Sequence, residues 1–150
     1  MCCKTILLVA SNGGHWIQLN RLRSAFEGFR KIYISTSDED RDMVADGRFF
    51  TVPEASRWNK LKMLCLALKM LFFILRFRPD VVVSTGAAPG YFALRFGKWI
   101  GARTIWLDSI ANVNRLSLSG QMVRPYADLW LTQWPHLSTE SGPHYRGGVL

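Results

Sequence analysis

Apolar residues run unbroken from Ile6 to Ala10, and the run stops at Ser11-Asn12-Gly13-Gly14. A short β-branched and leucine-rich stretch of this kind predicts a buried strand over Lys4 to Ala10. After His15 the apolar positions change to helical spacing, at Ile17, Leu19, Leu22, Ala25 and Phe26. Strand, glycine turn and helix in that order open a doubly wound fold. "KIYIST" from Lys31 to Thr36 predicts the next strand, the polar run Ser37 to Asp46 a short helix, and "RFFTVP" a shorter strand ending at Pro53.

The segment from Trp58 to Phe77 has a different pattern. It is almost continuously apolar from Leu61 onward, is interrupted by Lys62 and Lys69, and is closed by Arg76, Arg78 and Pro79. That length suits a helix and excludes a strand. As a membrane span it is marginal, because Lys69 sits near the middle and a charge at the bilayer centre costs about 2.5 to 3.5 kcal/mol. Two readings remain. One is a core helix packed across a sheet. In the other its outer side lies in or on a membrane, with Lys60, Lys62, Lys69, Arg76 and Arg78 meeting anionic headgroups. They are compatible if they belong to different faces.

"PDVVVSTG" predicts a strand over Asp80 to Ser84 that ends at a glycine loop. Pro89 stands where a helix can begin, and "GYFALRFGKWIG" supplies that helix with its stop at Gly101. Arg103 to Leu107 and Ala127 to Leu131 read as further strands. "GPHYRGGVL" reads as a turn and a last short strand, or as a surface awaiting another chain. Strands alternating with helices require crossovers, so the expected fold is α/β: a Rossmann-like, mostly parallel sheet with helices on both faces, in a single domain over residues 1–150.

Composition adds little to this architecture but narrows the partners. A hydrophobic fraction of 49% over 150 residues is enough for one core. The net charge of +8 points to an anionic partner surface: phospholipid, nucleic acid or an acidic protein. Zinc-finger spacing and RNP-like patterns are absent, so no nucleic-acid partner is expected. Cys2 and Cys3 are adjacent and Cys65 is isolated, which indicates neither a disulfide framework nor a thiolate metal site. The run "TILLVA" is too short for the apolar region of a signal peptide, so a cytosolic or cytosol-facing location is expected.

Three loops leave predicted strand ends: "SNGGH" at Ser11 to His15, "STGAAPG" at Ser84 to Gly90 and "DSIANVNR" at Asp108 to Arg115. In an open α/β sheet such loops converge on one crevice. Gly13 and Gly14 permit a tight turn before a helix whose free N–H groups suit phosphate, or they simply make a turn. Gly86, Pro89 and Gly90 repeat that form. His15 can donate to phosphate, take a proton from a sugar hydroxyl, or cap backbone. Asp108 can orient or deprotonate a hydroxyl, or cap the next segment. Asn112, Asn114 and Arg115 add donors, with Arg115 available to phosphate or to Asp108.

Taken together, "SNGGHWIQLNRL", "PDVVVSTGAAPGYFAL" and "IWLDSIANVNRLSLSGQMVRPYADLWLTQWPHL" resemble a known family in order and spacing. It contains the membrane-anchor subunit of the dolichol-pathway UDP-N-acetylglucosamine transferase, with bacterial relatives in capsule and exopolysaccharide assembly. The resemblance implies the amino-terminal half of a split GT-B glycosyltransferase, which holds a lipid-linked acceptor while a separate subunit carries most of the UDP-sugar site. The first two loops also resemble the glycine loops of the single-chain lipid-linked murein transferase, which face the acceptor diphosphate. The implied site positions are Asn12, Gly13, Gly14 and His15, then Thr85 and Gly86, then Asp108 and Ser109. Family members usually carry glutamate where Asp108 stands and an arginine close to Asn112, so here the acid is one methylene shorter and a positive charge is missing. Dolichol-pathway members also have an amino-terminal anchor. This chain opens almost directly on a strand, so the bacterial form is the better match.

The resulting expectation is an inverting transfer from a UDP-sugar to a polyprenyl-diphosphate-linked saccharide. The diphosphate rests on the loops of Gly13, Gly14 and Gly86, either His15 or Asp108 acts as base with preference for His15, and Ser109, Asn112 and Arg115 line the acceptor. No aspartate pair suggests a metal site, so neither metal nor cofactor is expected. The location implied is the cytoplasmic face of the cell membrane, peripheral or monotopic, and the isolated chain is expected to be inactive without its partner subunit. The competing readings are a non-catalytic membrane scaffold that recruits a glycosyltransferase and a small nucleotide-binding oxidoreductase. The second is weakened because no dinucleotide fingerprint precedes Asp38.

Overall fold

The computed structural model describes residues 3–149, so Met1, Cys2 and Leu150 lie outside it, and with them part of the cysteine reading and the end of the final segment. Among the described residues, seven strands make one parallel sheet: β1 (Thr5–Val9), β2 (Arg30–Ser35), β3 (Arg48–Thr51), β4 (Val81–Ser84), β5 (Arg103–Leu107), β6 (Leu129–Thr132) and β7 (His144–Tyr145). Their spatial order is β3-β2-β1-β4-β5-β6-β7. Beyond β1 the chain winds outward to β2 and β3, then returns to place β4 on the other side of β1. The direction of winding therefore reverses between β1 and β4, where a doubly wound sheet opens its crevice.

Alternation along β1 divides the core. Leu7 and Val9 face one side, together with Ile32, Ile34 and Val82. Against them pack Leu66, Met70 and Ile74 of α2 (Lys60–Phe77) and Ala93 and Leu94 of α3 (Ala87–Trp99). Ile6 and Leu8 face the other side with Tyr33 and Val83, covered by Trp16 and Leu19 of α1 (Gly14–Arg21). Trp16 meets Tyr33 and Phe49 edge-on, with ring centroids 6.0 and 5.7 Å apart. Burial on both faces explains why β1 reads as an unbroken apolar run.

The long apolar segment is a helix with two different faces. Leu66, Met70 and Ile74, four residues apart, point inward, while Leu61, Leu64, Leu68, Phe72 and Leu75 are exposed. The Asn59 side chain caps its start by accepting from the Lys62 N–H at 3.0 Å, and Arg78, at φ 43°, ends it before Pro79. Among the described residues no helix is long and apolar enough to cross a membrane.

Several boundaries differ from expectation. The first helix stops at Arg21, and Arg23–Phe26 forms a 3₁₀ turn. The polar run is likewise 3₁₀, over Asp38–Met43, started by Ser37, whose hydroxyl accepts from the Glu39 N–H. Helix α3 begins at Ala87, which places Pro89 inside its first turn. The sixth strand starts at Leu129, because Asp128 ties back to β5: its carboxylate accepts from the Thr104 N–H at 3.0 Å and from Lys98. Burial pushes that carboxyl up, but the Lys98 and Thr104 donors outweigh it and hold it below the usual range. A short helix α4 (Leu118–Met122) has no counterpart in the sequence reading, since five residues show no periodicity.

Candidate functional site

Loops leaving β1 and β4 meet across the point of reversal. His15, in the first turn of α1, places its imidazole Nδ1 2.9 Å from the carbonyl oxygen of Thr85, and the Thr85 hydroxyl donates to the His15 carbonyl at 2.5 Å. A backbone carbonyl only accepts, so in the neutral ring this bond requires the proton on Nδ1 and leaves the Nε2 lone pair uncommitted. Thr85 is fully buried, which makes the pair a fixed hinge pin between the loops.

Glycine is required at Gly86 for a specific reason. Its φ is +144°, and a Cβ there would lie 2.3 Å from His15 Nδ1 and 2.4 Å from Cε1. The imidazole therefore occupies the space that any side chain at position 86 would take. Ala87 follows at φ 69°, a left-handed conformation seldom adopted by a residue with Cβ. Gly13, at φ 88°, turns the first loop, with its N–H donating to the Asn12 side chain at 2.7 Å. Two helices thus begin side by side with first-turn N–H groups that have no intrahelical partner.

The third loop is organised from beneath. Asp108 is only 1% exposed. Its Oδ1 accepts from Trp106 Nε1 at 3.1 Å and the Ser117 hydroxyl at 2.6 Å, and its Oδ2 accepts from Asn112 Nδ2 at 3.0 Å and the Ser117 N–H at 2.9 Å. With both oxygens occupied and solvent excluded, the carboxylate folds residues 108–117 around itself and does not open on the crevice. Arg115 makes no ion pair with it and is exposed. Ser109 is also buried, accepting from Gln18 Nε2 and the Ala111 N–H, each at 3.2 Å.

Sequence reasoning passed over the residues that join these loops. Gln18 of α1 accepts from the Ile110 N–H at 3.1 Å and from Gln133 at 2.5 Å, and Gln133 donates to the Asp108 carbonyl at 3.0 Å. The two contacts of Gln18 span 92 and 115 positions of sequence, and a glutamine one turn into a helix carries no local signal of them. Gly120 was also missed: a Cβ there would lie 2.3 Å from Asp108 Oδ1.

The predicted positions therefore fall into two groups. Asn12, Gly13, Gly14, His15, Thr85 and Gly86 are brought together at the reversal point. Asp108, Ser109 and Asn112 form a supporting lattice, while Arg115 lines a neighbouring polar pocket of about 460 Å³ with Arg57, Ser117 and Gln121. Among the described residues no cluster of three or more His, Cys, Asp or Glu is placed to hold a metal ion. Away from the crevice, Lys31 donates to Asp46 at 2.5 Å and holds that carboxyl below its usual range, and burial beside Asp46 pushes the Tyr33 hydroxyl up to about 12. Burial raises Asp40, although Ser35 donates to it.

Comparison with known proteins places this geometry in context. Over 79 residues the chain is 42% identical to the UDP-N-acetylglucosamine transferase subunit ALG14 of Yarrowia lipolytica, covering 49% of this chain and 37% of the relative. It is 31% identical over 99 residues to the alg14 subunit of Schizosaccharomyces pombe, covering 61% and 44%. The chain thus matches less than half the length of either relative. Among solved structures, MurG of Acinetobacter baumannii superimposes with a TM-score of 0.79 at 12% identity, over 98% of this chain and 46% of that one. That likeness is one of fold, and it is the fold expected of the amino-terminal half of a GT-B glycosyltransferase. The family described as "Oligosaccharide biosynthesis protein Alg14 like" matches residues 51–149, so the chain belongs to that family.

Proposed function

We propose that this chain is the acceptor-binding, membrane-associating half of a two-chain inverting glycosyltransferase, acting from a UDP-sugar onto a polyprenyl-diphosphate-linked saccharide. The observation that carries the reading is the His15–Thr85 pair, which leaves one ring nitrogen free between two glycine-led helix starts. The acceptor diphosphate lies against the loops of Gly13, Gly14 and Gly86, where the free first-turn N–H groups of the two helix starts favour negative charge. The Gly13 and Gly86 N–H groups themselves are held by the Asn12 and Ser84 side chains and shape the loops. The acceptor hydroxyl oxygen attacks the anomeric carbon from the face opposite the nucleotide. As that bond forms, the bond from the anomeric carbon to the UDP oxygen breaks, UDP leaves with the electron pair, and the hydroxyl proton passes to His15 Nε2. Asp108, Ser109 and Asn112 position the third loop, and Arg115 adds positive charge near the acceptor.

A GT-B cleft needs two such domains, and the sheet described here is one of them, which supports a second domain supplying the donor side. The similar proteins are named as subunits, which supports a separate partner carrying the UDP-sugar site. The exposed apolar stripe of α2 runs beside Lys62, Lys69 and Arg76, whose seven-residue spacing puts them on one flank, and this supports peripheral attachment to an anionic membrane face.

The test is reconstitution with the partner subunit, a UDP-sugar panel and polyprenyl-diphosphate acceptors. The isolated chain is expected to be inactive and the pair active. His15→Ala should lower kcat by about 10² to 10⁴ with the complex still assembled, as expected for loss of a general base. Full activity of His15→Ala in the assembled pair would instead identify a scaffold that does not touch substrate.

A further inference from the structure

We infer that the groove between the amino-terminal ends of α2, α3 and α4 holds the first isoprene units of the acceptor's lipid chain, so that the tail is gripped by protein before it enters the membrane. The inference rests on the acceptor reading above and adds a subsite for the lipid.

The groove has a volume of about 580 Å³, within the range of small-molecule sites, and its walls come from Ala55, Met63, Ala88, Tyr91, Phe92 and Met122. Apart from Arg57, Lys60 and Ser119 its lining is apolar, and the Tyr91 hydroxyl is engaged by Arg95 at 3.2 Å. Two methionines among the walls suit a chain of irregular shape, since an unbranched thioether side chain adapts to its neighbour.

Position argues for a lipid that carries a phosphate. One end of the groove, at Ala88, is two residues from Gly86 and therefore next to the glycine rim assigned to the diphosphate. The exposed cations Arg57 and Lys60 line the groove itself, and Arg57 is shared with the adjoining pocket that contains Arg115. No acidic residue lines either cavity. Trp58, 82% exposed, and Leu61, 81% exposed, flank those cations in sequence and continue into the apolar stripe of α2. A single path thus runs from the proposed membrane face, past two cations and through an apolar groove, to the loop that holds His15. Arg57 and Lys60 at the membrane end of the path suit anionic headgroups, the apolar walls suit isoprene, and the glycine rim beyond Ala88 suits the diphosphate, so a polyprenyl diphosphate matches each part of the path.

Binding of geranyl diphosphate and methyl diphosphate to the whole chain, measured by calorimetry, tests this directly. The geranyl compound should bind at least tenfold tighter, and Met122→Trp, which fills the groove from an exposed position, should reduce that ratio to within twofold. A diazirine-bearing geranyl diphosphate should label the peptides containing Met63 and Phe92 in the unmodified chain, a measurement that does not depend on the variant folding. Equal affinity for the two compounds, or labelling confined to the outer face of α2 at Leu68 and Phe72, would overturn the groove assignment and leave the acceptor reading intact. Failure of both compounds to bind would overturn both. An unchanged ratio in Met122→Trp, with loss of pairing to the partner subunit, would give the groove to a segment of that partner.

Discussion

The imidazole of His15 lies within hydrogen-bonding distance of the Thr85 carbonyl, and the Thr85 hydroxyl returns a bond to the His15 carbonyl, so two loops 70 residues apart in sequence lock each other. The ring bond sets the tautomer, and the bond to the backbone carbonyl anchors the residue that carries the ring.

Gly86→Ala should therefore behave as a mutation of His15. The added Cβ overlaps the imidazole, and the ring must move by about 1 Å, a displacement that can lower turnover by roughly 10². Kinetics of the reconstituted pair, alongside circular dichroism to verify folding, would check it. Near-normal kcat with an intact fold would show that the ring's place is not critical.

Asp108→Asn separates a positioning role from a catalytic one. Four donors converge on the carboxylate, and an amide turns its NH₂ toward two of them. Leaving buried donors unpaired costs about 1 to 3 kcal/mol each, so the unfolding midpoint in urea should fall clearly. Unchanged stability with abolished turnover would instead mark Asp108 as a base.

The Lys31–Asp46 pair predicts acid sensitivity. Its hydrogen bond from Lys31 holds the Asp46 carboxyl below its unfolded value of about 3.9, so its contribution is complete above that value and is lost as pH falls through the folded one. Asp46→Asn should flatten the fall in urea midpoint between about pH 5 and pH 3. A variant as acid-sensitive as the parent would remove this pair from the account.

Leu68→Glu combined with Phe72→Glu should abolish binding to vesicles containing anionic lipid while leaving the fold unchanged, because both side chains face outward. Sedimentation with vesicles reads the loss, and raising the salt should weaken the parent chain as its Lys62, Lys69 and Arg76 contacts are screened. Undiminished vesicle binding by the double variant would place the membrane contact elsewhere.

The strands were legible because parallel strands buried on both faces must be apolar throughout, as β1 and β4 are. Glycines at their ends marked the loops, and the length of the segment around Leu66 marked a helix. The site was legible only in outline. His15 and Gly86 stood out as residue types at strand ends, yet nothing local to either shows that a Cβ on one would collide with the ring of the other. Asp108 drew attention as an acid at a strand terminus, and the same position proved to be a buried anchor, because its donors come from Asn112 and Ser117 as the loop curls back.

Local pattern therefore determined which segments form sheet and helix and which loops leave the same edge, since periodicity and turn chemistry act between near neighbours. Tertiary structure alone decided which face of α2 is covered, how Gln18 and Gln133 tie α1 to the third loop and the end of β6, and which acid is sealed away. Those outcomes depend on side chains brought together across as many as 115 positions, and only the assembled sheet sets their distances.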